Sequence, residues 1–264
     1  MMPSQGLQGC RILVTRSKQQ YQATADLIEA RGGIAIALPC LEIKYLPQNI
    51  HHALNQMKAS TDVLLTSRNG VEALAQYSPV PLQTLLQQYR IAAVGKKTAQ
   101  ALQSHGIQPN IIPRIQSQRG LLEAYQSEGL PQSLMFFRAE QGSDLLSNHL
   151  QTQGVDVHTI LAYRTMCPDA DISPIIQQFT QKKIDAVLLG SAQTAQHYLQ
   201  RIQNASLANT PVLVVISEQV ALAADKLGLN VQLIAKQTSF ASMLDALENH
   251  FSSWSCERLC PYLL

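Results

Sequence analysis

The sequence predicts an α/β protein built from two parallel-sheet domains, and three observations carry that prediction. The first is an internal pseudo-repeat with an offset of about 122 residues. Arg16 follows ILVT and Arg138 follows LMFF, while Gly32 and Gly154 each close an apolar-periodic helix. Asp62 opens DVLL and Asp185 opens DAVLL; Gly106 stands in SHGIQ and Gly228 in KLGLN. Units this long are not solenoid repeats, which run ~20–50 residues. The second is the alternation of short, continuously apolar runs with helical patterns, which marks parallel strands covered on both faces. The third is size: 264 residues suit two domains of roughly 100–150 residues each. Five strands per domain then read as flavodoxin-like or Rossmann-like sheets.

The elements follow in order. CRILVT is a strand, and QATADLIEARGG is a helix with Ala23, Leu27, Ile28 and Ala30 on one side and a Gly stop. IAIALP is a strand ended by Pro39. TDVLLTS, RIAAVG and IQPNIIP read as strands, with helices over SRNGVEALAQY, KKTAQALQSHG and SQRGLLEAYQ. Ser117 suits the N-cap of the last of these. SLMFFR begins the second copy, and SMLDALENHF is the final helix.

Leu41 to Leu46 alternates apolar and polar residues, and Ile160 to Met166 holds the corresponding place in the second copy. Paired, these two segments form a two-stranded β-ladder hinge. The first domain then comprises residues 1–39 and 168–251, with strands near 11, 34, 185, 212 and 231. The second comprises residues 47–158, with strands near 62, 91, 109, 134 and 155. Residues 40–46 and 159–167 are the linker ladder, and 252–264 a C-terminal tail without an assigned role. Two contiguous domains split near residue 123 are the plainer alternative, but leave both extended segments without a use. Two like bodies imply a cleft, and clefts are where ligands bind.

Composition removes several classes of function. Net charge is +2 and aromatic residues make up 5%. No basic run with interleaved aromatics occurs, so nucleic acid is not expected as a partner. No window approaches the ~18 apolar residues that span a bilayer, and the first 16 residues lack a cationic n-region with an apolar core. Five cysteines, at 10, 40, 167, 256 and 260, suit a reducing compartment. Cys256 and Cys260 have no second ligand pair, so no metal is expected. A cytoplasmic protein, monomeric or weakly associated, is the expectation. Phosphate loops of the GxxxxGK[ST] or GxGxxG kind and a GxSxG elbow are absent, which disfavours a nucleotide, NAD or serine-hydrolase site. His51 and His52 point to different helix faces and read as solvated. Glu140 and Asp144 read as a solvated helix start.

Open parallel sheets bind ligands at strand C-termini. There the sequence offers Thr15-Arg16, Ser67-Arg68-Asn69-Gly70, Gly95-Lys96 with Thr98, Ser117, Arg138, Ser191 and Ser217. Most precede a helix, where free N–H groups and the dipole favour an anion. Plain N-capping is the competing explanation for each Ser or Thr. Arg16 and Arg138 read as anion clamps, against surface salt bridges. Arg68 and Lys96 oppose the helix dipole unless an anion lies there. Tyr163, in ILAYRT, is a phenol that stays protonated at neutral pH and can donate a proton; packing against the hinge is the alternative.

Together, ILVTR, LPCLEI, DVLLTSRNGVEAL, IAAVGKKTAQAL, SQRGLLEAY, FFRAEQG, LAYRT, DAVLLGSAQT and KQTSFASMLDAL resemble the uroporphyrinogen-III synthase family over roughly residues 10–250. Their order and spacing carry the resemblance, TSRNGVEA, AVGKKTA and LAYRT most of all. The resemblance implies a discontinuous two-domain fold with an interdomain ladder. It implies a lyase of tetrapyrrole and heme biosynthesis that closes hydroxymethylbilane, a linear tetrapyrrole with eight carboxylates. Water is lost, the last pyrrole ring is inverted through azafulvene and spiro intermediates, and no cofactor is used. It makes Tyr163 the proton donor and Ser67, Thr98, Ser191 and Thr238 polar contacts to substrate, with Ser239 fitting almost as well as Thr238. A transient contact with the upstream bilane-forming enzyme is compatible with it. The sequence departs from the family where VISEQVA places Ser217 and Val220 in the second copy, and where RAEQGS places Ser143 for an arginine. A hinged, non-catalytic receptor for an anionic metabolite is the competing reading. A nucleotide-sugar transferase is weaker, for want of a Gly-rich donor loop.

Overall fold

The structure is a computed structural model that describes residues 6–58 and 61–258, with side chains to residue 252. In chain order it runs β1 (Arg11–Val14), α1 (Lys18–Glu29), β2 (Ile34–Ala37), β3 (Glu42–Tyr45), α2 (Pro47–Leu54), β4 (Thr61–Leu65), α3 (Arg68–Tyr77) and α4 (Leu82–Leu86). Then come β5 (Ile91–Ala93), α5 (Lys96–Ser104), α6 (Gln118–Glu128), β6 (Ser133–Ala139), α7 (Leu145–Thr152), β7 (Asp156–Met166) and α8 (Ser173–Thr180). The chain ends with β8 (Ala186–Leu189), α9 (Ala192–Ile202), α10 (Ala205–Ala208), β9 (Val212–Val215), α11 (Glu218–Asp225), β10 (Val231–Ile234) and α12 (Phe240–Arg258). It divides into two compact units: Met1–Glu42 with Cys167–Leu264, and Ile43–Met166.

The first unit holds a five-stranded sheet in the order β10-β9-β8-β1-β2, with every pair parallel. Its inner strands β8 and β9 are apolar at every position because both faces are covered. Leu13 packs into one core with Val187, Leu189 and Tyr198, whereas Ile12 and Val14 pack into another with Leu188, Met243 and Leu247. Successive strand residues point to opposite faces, and each such side chain buried contributes roughly 1.5–3 kcal/mol. From β1 the chain turns to β2 on one side, while β8 lies on the other. The topological switch point of this sheet therefore falls between β1 and β8, where the Thr15 hydroxyl donates to the Leu188 carbonyl at 2.6 Å.

The second unit holds the order β3-β7-β6-β4-β5, with β5, β4, β6 and β7 successively parallel. Val63 and Leu65 face one core and Leu64 the other. Its switch point lies between β4 and β6. Gly32 and Gly154 both take the left-handed conformation, with φ of +80° and +84°, which a residue without Cβ adopts at no cost and which ends each preceding helix.

Three sequence expectations change. IQPNIIP forms an isolated parallel bridge, Ile111 to Ala92, and no strand; Pro109 and Pro113 remove the donors a ladder needs. The strand near 155 and the segment Ile160 to Met166 are one continuous strand, β7. Residues 252–258, read as tail, continue α12, since SSWSCER contains no breaker. The remainder of the tail, with Cys260, lies outside the described residues.

Candidate active site

The C-terminal end of the sheet in the second unit is built around Tyr163. Along β7, Ile160, Ala162 and Tyr163 all face the same core, which strict strand alternation forbids. The reason is a register shift: Arg138 pairs with Leu161 and Ala139 with Tyr163, so Ala162 is passed over. A bulge of this kind re-aims the following side chain. Tyr163 is thereby turned to the side of the sheet that α3 covers and is 6% exposed. Its hydroxyl lies 2.7 Å from Ser67 Oγ, at the end of β4 and beside the switch point. Ser67 in turn accepts the Gly70 N–H at 3.1 Å and caps α3. With that N–H donating into Ser67 Oγ, the serine hydroxyl proton is available to the phenol oxygen.

The other strand ends divide into committed and uncommitted groups. Ser117 accepts the Gly120 N–H at 3.1 Å and caps α6. Ser191 caps α9 through the Thr194 N–H at 3.1 Å and also meets the Thr194 hydroxyl at 2.6 Å. Gly95 has no side chain to cap α5; Gln116 Oε1 instead accepts the Lys96 N–H at 3.3 Å, a long-range substitution no local motif announces. Thr98 is buried in the first turn of α5. Ser217 stands at the N-cap of α11 without a side-chain cap bond. At the start of α12, Ser239 accepts the Ser242 N–H at 3.1 Å, whereas Thr238 is exposed and its hydroxyl makes no hydrogen bond among the described residues.

The arginines separate as well. Arg138 is buried, and its guanidinium donates to Asp144. Asp144 is 64% exposed at the N-cap of α7, in keeping with a solvated helix start, and pairs with Arg138 as well; the buried Arg138 Nε has no hydrogen-bond partner among the described residues. Arg68 is 3.5 Å from Glu72, one helical turn on, so its position at the start of α3 does not require an external anion. Lys96 is exposed and, among the described residues, has no carboxylate partner. Arg16 also has none among the described residues. It lies over the Phe240 ring at 4.3 Å from the centroid and donates to Thr24 Oγ1 at 3.1 Å. Partial burial holds its pKa below the ordinary guanidinium range. His51 and His52 are exposed, as read from the sequence. No group of three or more His, Cys, Asp or Glu side chains suited to a metal occurs among the described residues.

Fold and site together define a doubly wound α/β protein whose strand ends carry hydroxyl, backbone N–H and guanidinium donors and one hydrogen-bonded phenol. The chain belongs to the uroporphyrinogen-III synthase family, whose model, described as uroporphyrinogen-III synthase HemD, matches residues 22–245. It is 27% identical to the uroporphyrinogen-III synthase of Synechococcus elongatus, over 94% of this chain and 97% of that protein. It is 26% identical to the porphyrin biosynthesis protein HemD of Ruminiclostridium josui over 90% of this chain, but spans 48% of that relative's length. In fold it is similar to uroporphyrinogen-III synthetase from Helicobacter pylori, with a TM-score of 0.62 and 16% identity over 91% of this chain and 99% of the other. No described helix is long and apolar enough to cross a membrane.

Proposed function

We propose that this chain is a uroporphyrinogen-III synthase, a lyase that cyclises hydroxymethylbilane to uroporphyrinogen III with loss of water and inversion of the last pyrrole ring. The family match over residues 22–245 carries the reading, and the Ser67–Tyr163 pair supplies its chemistry. Tyr163 donates its proton to the departing hydroxyl, which leaves as water. The pyrrole nitrogen pushes electrons into the azafulvene, and loss of its N–H proton restores the balance. The Ser67 hydroxyl donates to the phenol oxygen and holds the negative charge that develops there. Closure then passes through the spiro intermediate.

The bilane closes without a catalyst, to the uninverted isomer. The protein's main task is therefore to hold a flexible polyanion in one geometry. Arg16, Ser217 and Thr238 in the first unit, and Asn69, Lys96 and Thr98 in the second, contact its carboxylates through side chains. Gly70, Gly95, Ser117 and Ser191 act through the helix N-termini they begin or cap. The uncommitted Thr238 hydroxyl favours Thr238 over Ser239.

The finer architecture belongs to the same proposal. With β2 matched to β7, β1 to β6, β8 to β4, β9 to β5, and β10 to the bridge at Ile111, both sheets have one strand order. That coincidence supports a duplication. The neighbouring positions of β3 and β7 support residues 40–46 and 159–167 as a linking ladder. The chain acts in the cytoplasm as a monomer and meets the bilane-forming enzyme only transiently. The test is to generate hydroxymethylbilane in situ, add the protein, oxidise, and separate the uroporphyrin isomers. Type III product supports the lyase. Type I alone, from folded protein, leaves the receptor reading in its place.

A further inference from the structure

The groups around Arg16 form a small construction at the switch point of the first unit. Phe240 opens α12 and is half-buried. Its ring fills the space above Gly190, where an added Cβ would lie 2.8 Å from Phe240 Cζ. Gly190 is the residue between β8 and the Ser191 cap of α9, so the ring seats on the end of the central strand. Arg16 lies over the ring at 4.3 Å from its centroid and gives one N–H to Thr24, on α1. Three elements thus fix one guanidinium that has no carboxylate partner among the described residues. Its remaining N–H groups have no hydrogen-bond partner among the described residues.

We propose that Phe240, seated on Gly190, is a positioning residue that holds Arg16 in the orientation required to bind one carboxylate of the substrate. The inference rests on the synthase reading and adds to it a platform that acts through Arg16 and touches no reacting atom. A cation over an aromatic face is held by the ring quadrupole. Without the ring, the long Arg16 side chain regains its rotamers, and that freedom must be lost again each time substrate binds. The slot explains why glycine stands before Ser191: a methyl at 190 meets a ring atom of Phe240.

The experiment compares steady-state kinetics of Phe240→Leu, Phe240→Tyr, Gly190→Ala and Arg16→Gln, alone and combined. Phe240→Leu raises KM roughly 5- to 10-fold, the equivalent of one partly desolvated cation–π contact, and leaves kcat little changed. Gly190→Ala behaves likewise, and Phe240→Tyr retains the parent KM. Because both act on one guanidinium, Phe240→Leu adds nothing to the KM of Arg16→Gln. A merely structural role gives the opposite pattern: a lowered melting temperature with unchanged KM, or effects that multiply in the double variant. Either result overturns the proposal. If the parent makes no type III isomer, the synthase reading fails separately. The same four variants are then titrated with uroporphyrin I, a cyclic octacarboxylate, as the binding probe. Weaker binding by Phe240→Leu that is absent from an Arg16→Gln background supports the platform, and equal binding by all variants overturns it.

Discussion

Replacing Tyr163 with Phe removes one oxygen from a half-formed proton relay and leaves the ring in place. The structure sets the size of both consequences. The lost contact is a single hydrogen bond of 2.7 Å to Ser67, whose hydroxyl keeps the Gly70 N–H at 3.1 Å. One such bond contributes about 1 kcal/mol, so the melting temperature falls by roughly 2–4 °C for a chain of this size. Catalysis loses more. A positioned acid contributes ~10²–10⁴-fold, and the low end applies because the pyrrole nitrogen already assists departure of the hydroxyl. The predicted kcat is therefore about 100-fold below the parent, with KM little altered. Stopped incubations with in situ substrate, followed by isomer separation, measure it. Ser67→Ala is the companion variant: it keeps the phenol but removes its partner and the α3 cap, and its kcat falls less. An unchanged kcat in Tyr163→Phe, with the small stability loss present, would refute the assignment of Tyr163 as the acid.

Other perturbations test the surrounding structure. Ser117→Ala costs about 1 kcal/mol, as loss of a cap does, and leaves KM unchanged because the hydroxyl is held by the Gly120 N–H; a raised KM would make the side chain a substrate contact. Gly120→Ala drives a methyl into the Ile115 carbonyl oxygen, a backbone atom that cannot turn away, and destabilises by about 3 kcal/mol in chemical denaturation. Cys40 is fully buried, and burial pushes its thiol well above the usual range, so iodoacetamide at mildly alkaline pH modifies it only after unfolding, as peptide mass mapping reads. Asp62 has its pKa raised by burial, against the opposing pull of Arg90 at 2.7 Å. Its contribution to stability is thus present below its unfolded pKa and lost as pH rises through its raised folded value. Melting curves of Asp62→Asn should gain on the parent as pH rises from the ordinary carboxylate range, and a widening deficit would contradict this.

Much of the fold was legible because doubly covered strands are apolar at every position. ILV, VLL and AVLL cannot be anything but interior. The short run before Pro113 misled, since apolar content suggested a strand while two prolines withheld its donors. The motif LAYRT pointed to Tyr163 as an acid, but not to the partner of its hydroxyl. Ser67 is 96 residues away, and the pair forms only because a one-residue register shift turns Tyr163 onto the face of Ala162. Arg16 and Arg138 looked alike in sequence. Their difference lies in neighbours that no local pattern reveals, Asp144 beside one and Phe240 beneath the other. Helix caps read from Ser67, Ser117 and Ser191 were visible locally, because a cap and its N–H are three residues apart.

The central claim is that this chain directs ring closure of hydroxymethylbilane to the inverted isomer. Titrating the protein into a fixed rate of bilane formation, then oxidising and resolving the uroporphyrins, measures that most directly. The account predicts a type III fraction that climbs with protein concentration until spontaneous type I product is suppressed. Type I product at every concentration, from protein shown to be folded, would contradict it.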